Sequence, residues 1–446
     1  MISTPCPIYT IAKKTPEAIA IQDGSDRITY KDLDQLIQDS CQKISFKPSS
    51  KMALSVSTNT DSIIQTFSFF RLGIITLLLD YNLSETEVKT VLKRTKIKSL
   101  FSKDLYTNNK KKTTHTTIPL SDPISIIATS GSSGAPKLLL HSAYNHLASA
   151  TSSQEKIPLG LDDKWGLSLP LHHVSGLSIL WRCFQVGATV VLPPKENPLL
   201  YFLNHCTHLS LVPTQLQDLL NLPKTDHHLK HVLVGGAYCS EELLSKGREL
   251  RLPLQATYGL SEMSSQVCTQ KLNHIPLSTM GSSLPGIRMK LGLDGTINLK
   301  GPSLFLGYLN DDGAIDPARD ERGWFHSNDT GILCESGLKI TGRNDRCFIS
   351  GGENIDPFEI ETVLNSHPNI NRSYIIPIEH ERFGVSPVAI IVLKDFLKKE
   401  DIQTFLKDKL SSFKHPKNYK FLNDPEKLSL KPSLKELKTL FEESYD

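Results

Sequence analysis

The stretch ISIIATSGSSGAPK at 124–137 sets the reading of the whole chain. ISIIA is a short apolar run that stops on a Gly- and Ser-rich turn, as a buried strand does where it ends in a loop. Gly131 and Gly134 permit positive φ and close backbone approach, the hydroxyls of Thr129, Ser130, Ser132 and Ser133 add donors, and Lys137 adds charge. Together these describe a phosphate cradle. It is not the G-x-x-x-x-G-K-[ST] loop, because Pro136 precedes the lysine and leucines follow it. An ordinary flexible loop would carry the same letters, so the stretch alone leaves both readings open.

Comparable apolar runs at 52–56, 74–79, 167–169, 189–192, 209–212 and 231–234 are bounded by Gly, Pro, Ser or polar residues, and helical patterns at 17–45 and 61–72 alternate with the first two. That rhythm predicts parallel strands joined by crossover helices, with sites at strand ends. After a pause at 337–343 a smaller unit follows: a helix near 357–364, strands at 373–378 and 388–393, and a helix near 401–410. A domain boundary near 342–345 fits this pattern. The lysine-bearing segment YTNNKKKTTHTTI at 106–118 reads as a solvated loop.

The chain has 446 residues, so more than one packed core is expected. Fifty Lys and Arg against 47 Asp and Glu leave +3, which supplies no field that demands nucleic acid or an acidic membrane as partner. An apolar content of 39% and a mean hydropathy of −0.21 suit a soluble globular protein. The most apolar window, 63–79, is interrupted by Gln65, Arg71 and Gly73, so no stable membrane insertion is expected. The beginning MISTPCPIYTIAKK lacks a basic region ahead of an apolar one and does not read as a secretory signal; a cytoplasmic protein is expected. Eight scattered cysteines with no C-x-x-C pair read as reduced thiols, and a zinc site built on Cys268 or Cys334 finds little support in their spacing.

Four further segments carry chemistry. LPLHHVSGL at 169–177 places His172 and His173 where a strand meets a turn; ATYGLSEMS at 256–264 offers the ring of Tyr258 for a base and Glu262 as a hard oxygen for Mg²⁺. GWFHSNDTG at 323–331 puts Asp329 after an aromatic run, able to accept from vicinal ribose hydroxyls. In TGRNDRCFISGGENIDPFEIE at 341–361, Arg343 and Asp345 fall at the domain joint and a Gly-Gly turn precedes a helix opened by Asp356 and Pro357. Each has a bland counterpart: packed histidines, a solvated glutamate, an acidic turn, a well-started helix.

In this order, the five segments resemble the adenylate-forming superfamily of acyl-CoA ligases, luciferases and peptide-synthetase adenylation domains, over nearly the whole chain. Within it, LPLHHVSGLSILWR (169–182), THLSLVPTQL (207–216), VLVGGAYCS (232–240), FISGGENIDPFEIE (348–361) and IPIEHERFGVSPVAI (376–390) are most similar to the o-succinylbenzoate–CoA ligases of menaquinone biosynthesis. The resemblance implies an α/β multi-domain fold: a large N-terminal domain of helix-flanked sheets (1–342), a hinge (343–347) and a small α+β C-terminal lid (348–446). It implies an AMP-forming acid–thiol ligase that uses ATP, Mg²⁺ and coenzyme A, with a small carboxylic acid as substrate. By the same resemblance Thr129, Ser130, Gly131, Ser132, Ser133, Gly134 and Lys137 would hold the β- and γ-phosphates. Glu262 would bind the metal, Asp329 and Arg343 the ribose, and Gly235, Gly236, Tyr258, Gly259 and Ser261 would flank the adenine and acyl site. His173 would stand between phosphates and acyl pocket, Ser264 would help line that pocket, and Asp345 matches the hinge.

Arg182 follows the apolar GLSILW and needs a partner. The unreacting aromatic carboxylate of such a substrate is one candidate and an internal salt bridge another. The lysine that superfamily members carry near the C-terminus has two registers in LSLKPSLKELKTLF at 428–441: PSLK selects Lys435, whereas the leucine six residues beyond the lysine selects Lys431 with Leu437, the preferred register. Departures from the pattern are the missing glycine beside that lysine, Ser261 for threonine, His172 for an aromatic ring, and HSND for His-Thr-Gly-Asp. Other aromatic or short acids, or a non-catalytic nucleotide-binding relative, are the alternatives.

Overall fold

The computed structural model describes residues 2–97, 100–102, 114–129, 136–223, 226–272, 274, 276–350, 353–381, 383–423, 428–429 and 432–443. Among them the long apolar runs become the inner strands of two large sheets. In the nine-stranded sheet, Leu254–Leu260, His231–Gly235, His208–Leu211, Lys164–Gly166, Thr189–Val191 and Ile19–Asp23 run parallel, with antiparallel strands at both edges. In the six-stranded sheet, Lys51–Val56, Ile75–Asp80 and Pro123–Thr129 are parallel, and Lys137–Ser142 turns back antiparallel beside the last of them. Strands buried on both faces read as unbroken apolar runs, which is why these were legible.

Two expectations are corrected. The 17–45 segment is not helical throughout: Ile19–Asp23 and Asp26–Thr29 form a hairpin turned by Gly24 at φ 59°, and only Tyr30–Lys43 is helix, started by a Thr29–Asp32 capping box. The strand expected at 167–169 lies earlier, at Lys164–Gly166. Gly166 sits where a Cβ would come within 2.7 Å of Leu209 and Phe202, so the sheet closes tightly there.

One core fills the space between the sheets, joining Leu54, Leu78 and Ile127 of one to Ile21 and Val190 of the other through the helices Tyr30–Lys43, Thr60–Arg71, Ala143–Ser153 and Val174–Val186. Phe67 lies at its middle, with ring centroids 5.6 Å from Phe70 and Trp181 and 5.3 Å from Phe184. Val174–Val186 is apolar nearly all round, as a helix buried on every side must be, and it stops at Gly187 in the left-handed region (φ 87°). A four-stranded antiparallel sheet (Arg288–Leu291, Thr296–Lys300, Phe325–Cys334, Gly337–Arg343) follows and delivers the chain to the joint at 343–347.

Beyond the joint, Ile370–His380, Gly384–Leu393 and Asn418–Leu422 form a three-stranded sheet with its own two cores. Strict alternation sends Ile375, Ala389 and Ile391 to the face covered by the helices Pro357–Asn365 and Lys399–Lys407, and Ile376, Val388 and Ile390 to the face covered by Leu437 of Leu434–Glu442. Contact with the larger part includes Tyr238, edge-on to Phe358 at 5.2 Å.

Gly176, in the first turns of the buried helix, faces the carbonyls of Leu169 and Pro170 so closely that an added Cβ would collide with backbone. Gly176→Ala is expected to lower stability by about 1–3 kcal/mol in urea denaturation; an unchanged midpoint would show that the 169–173 turn shifts freely.

Candidate functional site

The ends of the two large sheets converge on one polar cluster, and the turn Ser261–Met263 after Leu254–Leu260 presents Glu262 to it. The backbone there is strained, with Ser264 at φ 54° and Ser265 at φ 130°. It is held from below. His141 Nε2 donates to Ser261 O (2.7 Å), Phe305 N to Glu262 O (2.7 Å), and Ser149 Oγ to Ser264 O (3.0 Å), while Ser264 Oγ donates to Ser303 O (2.8 Å). A carbonyl only accepts, so His141 carries its proton on Nε2, and burial drives its pKa down to about 4. Its Nδ1 is buried without a hydrogen-bond partner.

Thr129 and Lys137 face each other across the strand pair, while Ser130, Gly131, Ser132, Ser133 and Gly134 lie outside the described residues. The Lys137 ammonium sits 5.2 Å from the ring centroid of Tyr308, and the Tyr308 hydroxyl donates to Glu262 Oε1 at 2.6 Å. Tyr308, on the strand Gly307–Leu309 beside Lys137–Ser142, thus joins residues of two sheets. Nothing in the sequence singled it out.

A second polar group gathers on the four-stranded sheet, where Asp329 pairs in register with Arg343. Arg343 Nη1 lies 3.2 Å from Asp329 Oδ1, and Tyr258 donates its hydroxyl to Asp329 Oδ2 at 2.7 Å. Arg343 also grips Asp345 with two bonds, of 2.9 and 3.0 Å, and Asn328 donates to Asp345 at 3.2 Å. Burial opposes the charge of Arg343, but the carboxylates of Asp345 and Asp329 outweigh it and hold its pKa above the ordinary arginine range. Burial would raise the Asp345 carboxyl, yet Arg343 and Asn328 hold it below its usual value. Tyr258 is only 9% exposed, so its hydroxyl rather than an open ring face is what it brings to the site.

Gly235 ends its strand where a Cβ would stand 2.7 Å from the Thr257 side chain, and Gly236 has φ 80°. Gly259 faces the Ser265 carbonyl too closely for any side chain. Gly235 and Gly259 are positions whose close backbone approach suits glycine, and Gly236 one whose positive φ does. His173 caps the Val174–Val186 helix through extended backbone without using its side chain, and its ring lies 4.2 Å from that of His172. His172 Nε2 is 3.9 Å from Asp80 Oδ2 at the end of Ile75–Asp80, another partner missed in the sequence.

Arg182 is 2% exposed, donates from Nη2 to Ser265 Oγ at 3.0 Å and lies 5.2 Å from the centroid of Trp165. Its Nε has no hydrogen-bond partner, and among the described residues no carboxylate forms an ion pair with it. The salt-bridge alternative therefore finds no acid. Burial lowers its pKa to about 10, so it stays charged at neutral pH. Lys435 lies on the exposed first turn of Leu434–Glu442, where its charge helps lower the pKa of Glu87, chiefly set by the Ser84 cap; Lys431 is outside the described residues.

Among the described residues no group of three or more His, Cys, Asp or Glu could hold a metal, so a metal here would need other oxygens besides Glu262. One carboxylate completed by phosphate oxygens is a donor set that Mg²⁺ takes. No described helix is long and apolar enough to cross a membrane.

The model of the AMP-binding enzyme family matches residues 8–309, and that of the AMP-binding enzyme C-terminal domain matches 359–431. The 2-succinylbenzoate–CoA ligase of Salmonella typhimurium is 38% identical over 293 residues, 66% of this chain and 63% of that protein. The match thus spans just under two thirds of that relative. The 2-succinylbenzoate–CoA ligase of Bacillus cytotoxicus is 29% identical over 470 residues, covering 96% of this chain and 97% of its own. Among solved structures, Bacillus subtilis o-succinylbenzoate CoA synthetase in complex with the acyl-adenylate intermediate OSB-AMP superposes with TM-score 0.88 at 26% identity, over 100% of this chain and 99% of that one. The same enzyme with ATP and magnesium ion gives 0.86 at 26%, over 98% and 100%.

Two outcomes are expected from this geometry. A histidine held neutral by burial contributes stability that is complete above its unfolded pKa of about 6.5 and lost as pH falls toward its folded value. Near pH 5 the His141 share of that loss is on the order of 2 kcal/mol, so His141→Gln, which keeps a donor for Ser261 without titrating, should lose that much less in urea denaturation between neutral pH and pH 5. Asn328→Gly removes one donor to Asp345, and amide hydrogen exchange at 343–347 should quicken about 3–10-fold; unchanged exchange would mean that Arg343 alone holds the joint.

Proposed function

The chain belongs to the AMP-binding enzyme family, and on that premise we propose that it is an ATP-dependent, AMP-forming ligase that joins o-succinylbenzoate to coenzyme A through an acyl-adenylate. The observation that carries this reading is Arg182, a buried cation that pairs with no carboxylate among the described residues, bonded to Ser265 only three residues past Glu262. A charge kept out of water without a partner is costly, and a planar guanidinium suits a carboxylate that must be anchored without reacting. A substrate with two carboxylates meets both needs, one gripped by Arg182 and the other free to attack.

In the first half-reaction the succinyl carboxylate attacks the α-phosphorus of ATP in line and pyrophosphate leaves. Thr129, Ser130, Gly131, Ser132, Ser133, Gly134 and Lys137 hold the departing phosphates. Glu262 would hold Mg²⁺, which neutralises charge on the phosphoryl oxygens when bound. Asp329 and Arg343 take the ribose hydroxyls; Gly235, Gly236, Tyr258, Gly259 and Ser261 line the adenine and acyl site, with Ser264 at its edge and His173 between phosphates and acid. In the second, the 348–446 lid rotates about Asp345 and the CoA thiol attacks the acyl carbon, releasing AMP. No protein nucleophile is required.

Lys431 is assigned as the lysine that meets the α-phosphate during adenylation. What supports it over Lys435 is that Lys435 lies on the exposed first turn of Leu434–Glu442, and that Leu437, the leucine of the Lys431 register, is buried. A cytoplasmic location is part of the same proposal: its substrates ATP and CoA are cytoplasmic metabolites, and all eight cysteines are free.

The test is pyrophosphate release by the purified protein with Mg·ATP and o-succinylbenzoate, with and without CoA. Release should need this acid, and the thioester should appear only with CoA. Lys431→Ala should slow adenylation about 10²–10³-fold and Lys435→Ala no more than a few-fold. Arg182→Ala orphans no acid among the described residues, so the fold should survive while KM for the substrate acid rises about 10–100-fold. Turnover of another acid alone would overturn the substrate, and ATP binding without any pyrophosphate would make the chain a non-catalytic relative.

A further inference from the structure

Lys137 and Glu262, opposite charges in one small site, form no ion pair with each other among the described residues; Tyr308 stands between them. Its hydroxyl donates to Glu262 Oε1 at 2.6 Å and its ring lies 5.2 Å beneath the Lys137 ammonium. The strand Gly307–Leu309 that carries it cannot drift. Gly307, at φ 151°, faces the Asp316 carbonyl too closely for a Cβ, Leu306 N donates to Leu140 O at 2.9 Å, and the Tyr308 ring is pinned edge-on to Phe305 at 4.8 Å.

Resting on the assignment of Glu262 and Lys137 above, we propose that Tyr308 is a positioning residue that keeps the metal carboxylate and the phosphate lysine apart while orienting both. A direct Lys137–Glu262 pair would spend each charge on the other before ATP arrived. The phenol prevents this with two different faces. Its O–H takes one carboxylate oxygen in a charge-assisted bond and leaves Oε2 open for Mg²⁺. Its ring offers the ammonium a cation–π seat that is weaker than a salt bridge and is readily given up to a phosphate. In that bond the phenol is the donor and the carboxylate the acceptor.

Tyr308→Phe keeps the ring and removes the hydroxyl; Tyr308→Leu removes both. The experiment is calorimetric titration of ATP into each variant with no metal and at increasing Mg²⁺, beside Glu262→Gln, with melting curves to show that each is folded. For Tyr308→Phe, metal-free ATP binding should match the unaltered protein, while the Mg²⁺ concentration that half-maximally tightens binding rises about 3–10-fold. For Tyr308→Leu, metal-free ATP binding should also weaken about 3–10-fold, as Lys137 falls onto Glu262. Tyr308→Phe indistinguishable from the unaltered protein, or as damaged as Tyr308→Leu without metal, would overturn the proposal. If Glu262→Gln leaves the Mg²⁺ dependence unmoved, the assignment of Glu262 falls and this inference with it; if it shifts that dependence while Tyr308→Phe does not, only the role of Tyr308 is lost.

Discussion

The site hangs on the way a strained turn is held by buried hydrogen bonds. Between Ser261 and Ser265 the backbone adopts conformations that side-chain-bearing residues avoid, and it does so inside the protein, where an unpaired carbonyl is costly. The partners come from the strand Lys137–Ser142 and the helix Ala143–Ser153, whose inward face is polar: Asn145 reaches Pro302 O and Leu304 O, Ser149 reaches Ser264 O, and Ser153 donates to Gln266 Oε1. A helix that buries Asn, His and Ser instead of leucine gives up hydrophobic stabilisation. It gains a rigid bed for the turn that aims Glu262 one way and Ser265, with Arg182, the other.

The charges around that turn share a second property: they are not cancelled against one another. Arg182 is bonded to a hydroxyl and stacked near Trp165, Lys137 lies over Tyr308, and Glu262 spends one oxygen on a neutral phenol. Low-dielectric surroundings make each charge felt strongly by whatever enters. The exception is Arg343, bound at once to Asp329 and to Asp345. That arrangement ties the proposed ribose site to the proposed hinge through one guanidinium, so that a ligand drawing on Asp329 alters the partner of the residue about which the lid is proposed to turn. The separate cores on either face of the 370–422 sheet are consistent with such rotation, since no hydrophobic core need be broken.

Much of this was legible beforehand because it is local. Buried parallel strands announce themselves as apolar runs, glycines at 235 and 259 sit where a side chain would clash and Gly236 has positive φ, and Asp329 and Arg343, fourteen residues apart in sequence, meet across adjacent strands. The hairpin at 19–29 was missed because its alternation is short and adjoins a strong helix. Tyr308, Asp80, Trp165, Ser265 and His141 were missed for a different reason: each earns its place through a partner on another sheet or helix, and no short-range pattern encodes that.

Family motif, charge, strand rhythm and the charged side chains available at Lys137, Glu262, Asp329 and Arg343 were thus determined by the sequence alone, since each depends on residue type and near neighbours. Only the tertiary structure decided that Arg182 meets no acid among the described residues, that Lys435 lies on an exposed helical turn, and that a tyrosine on the strand next to the edge of one sheet reaches both a lysine on its neighbouring strand and a carboxylate at the end of the other. Those facts concern distances between segments that are far apart in sequence, 46 residues for Tyr308 and Glu262 and 83 for Arg182 and Ser265. Such distances are set by how two sheets close on a shared core, and a linear chain carries no measure of them.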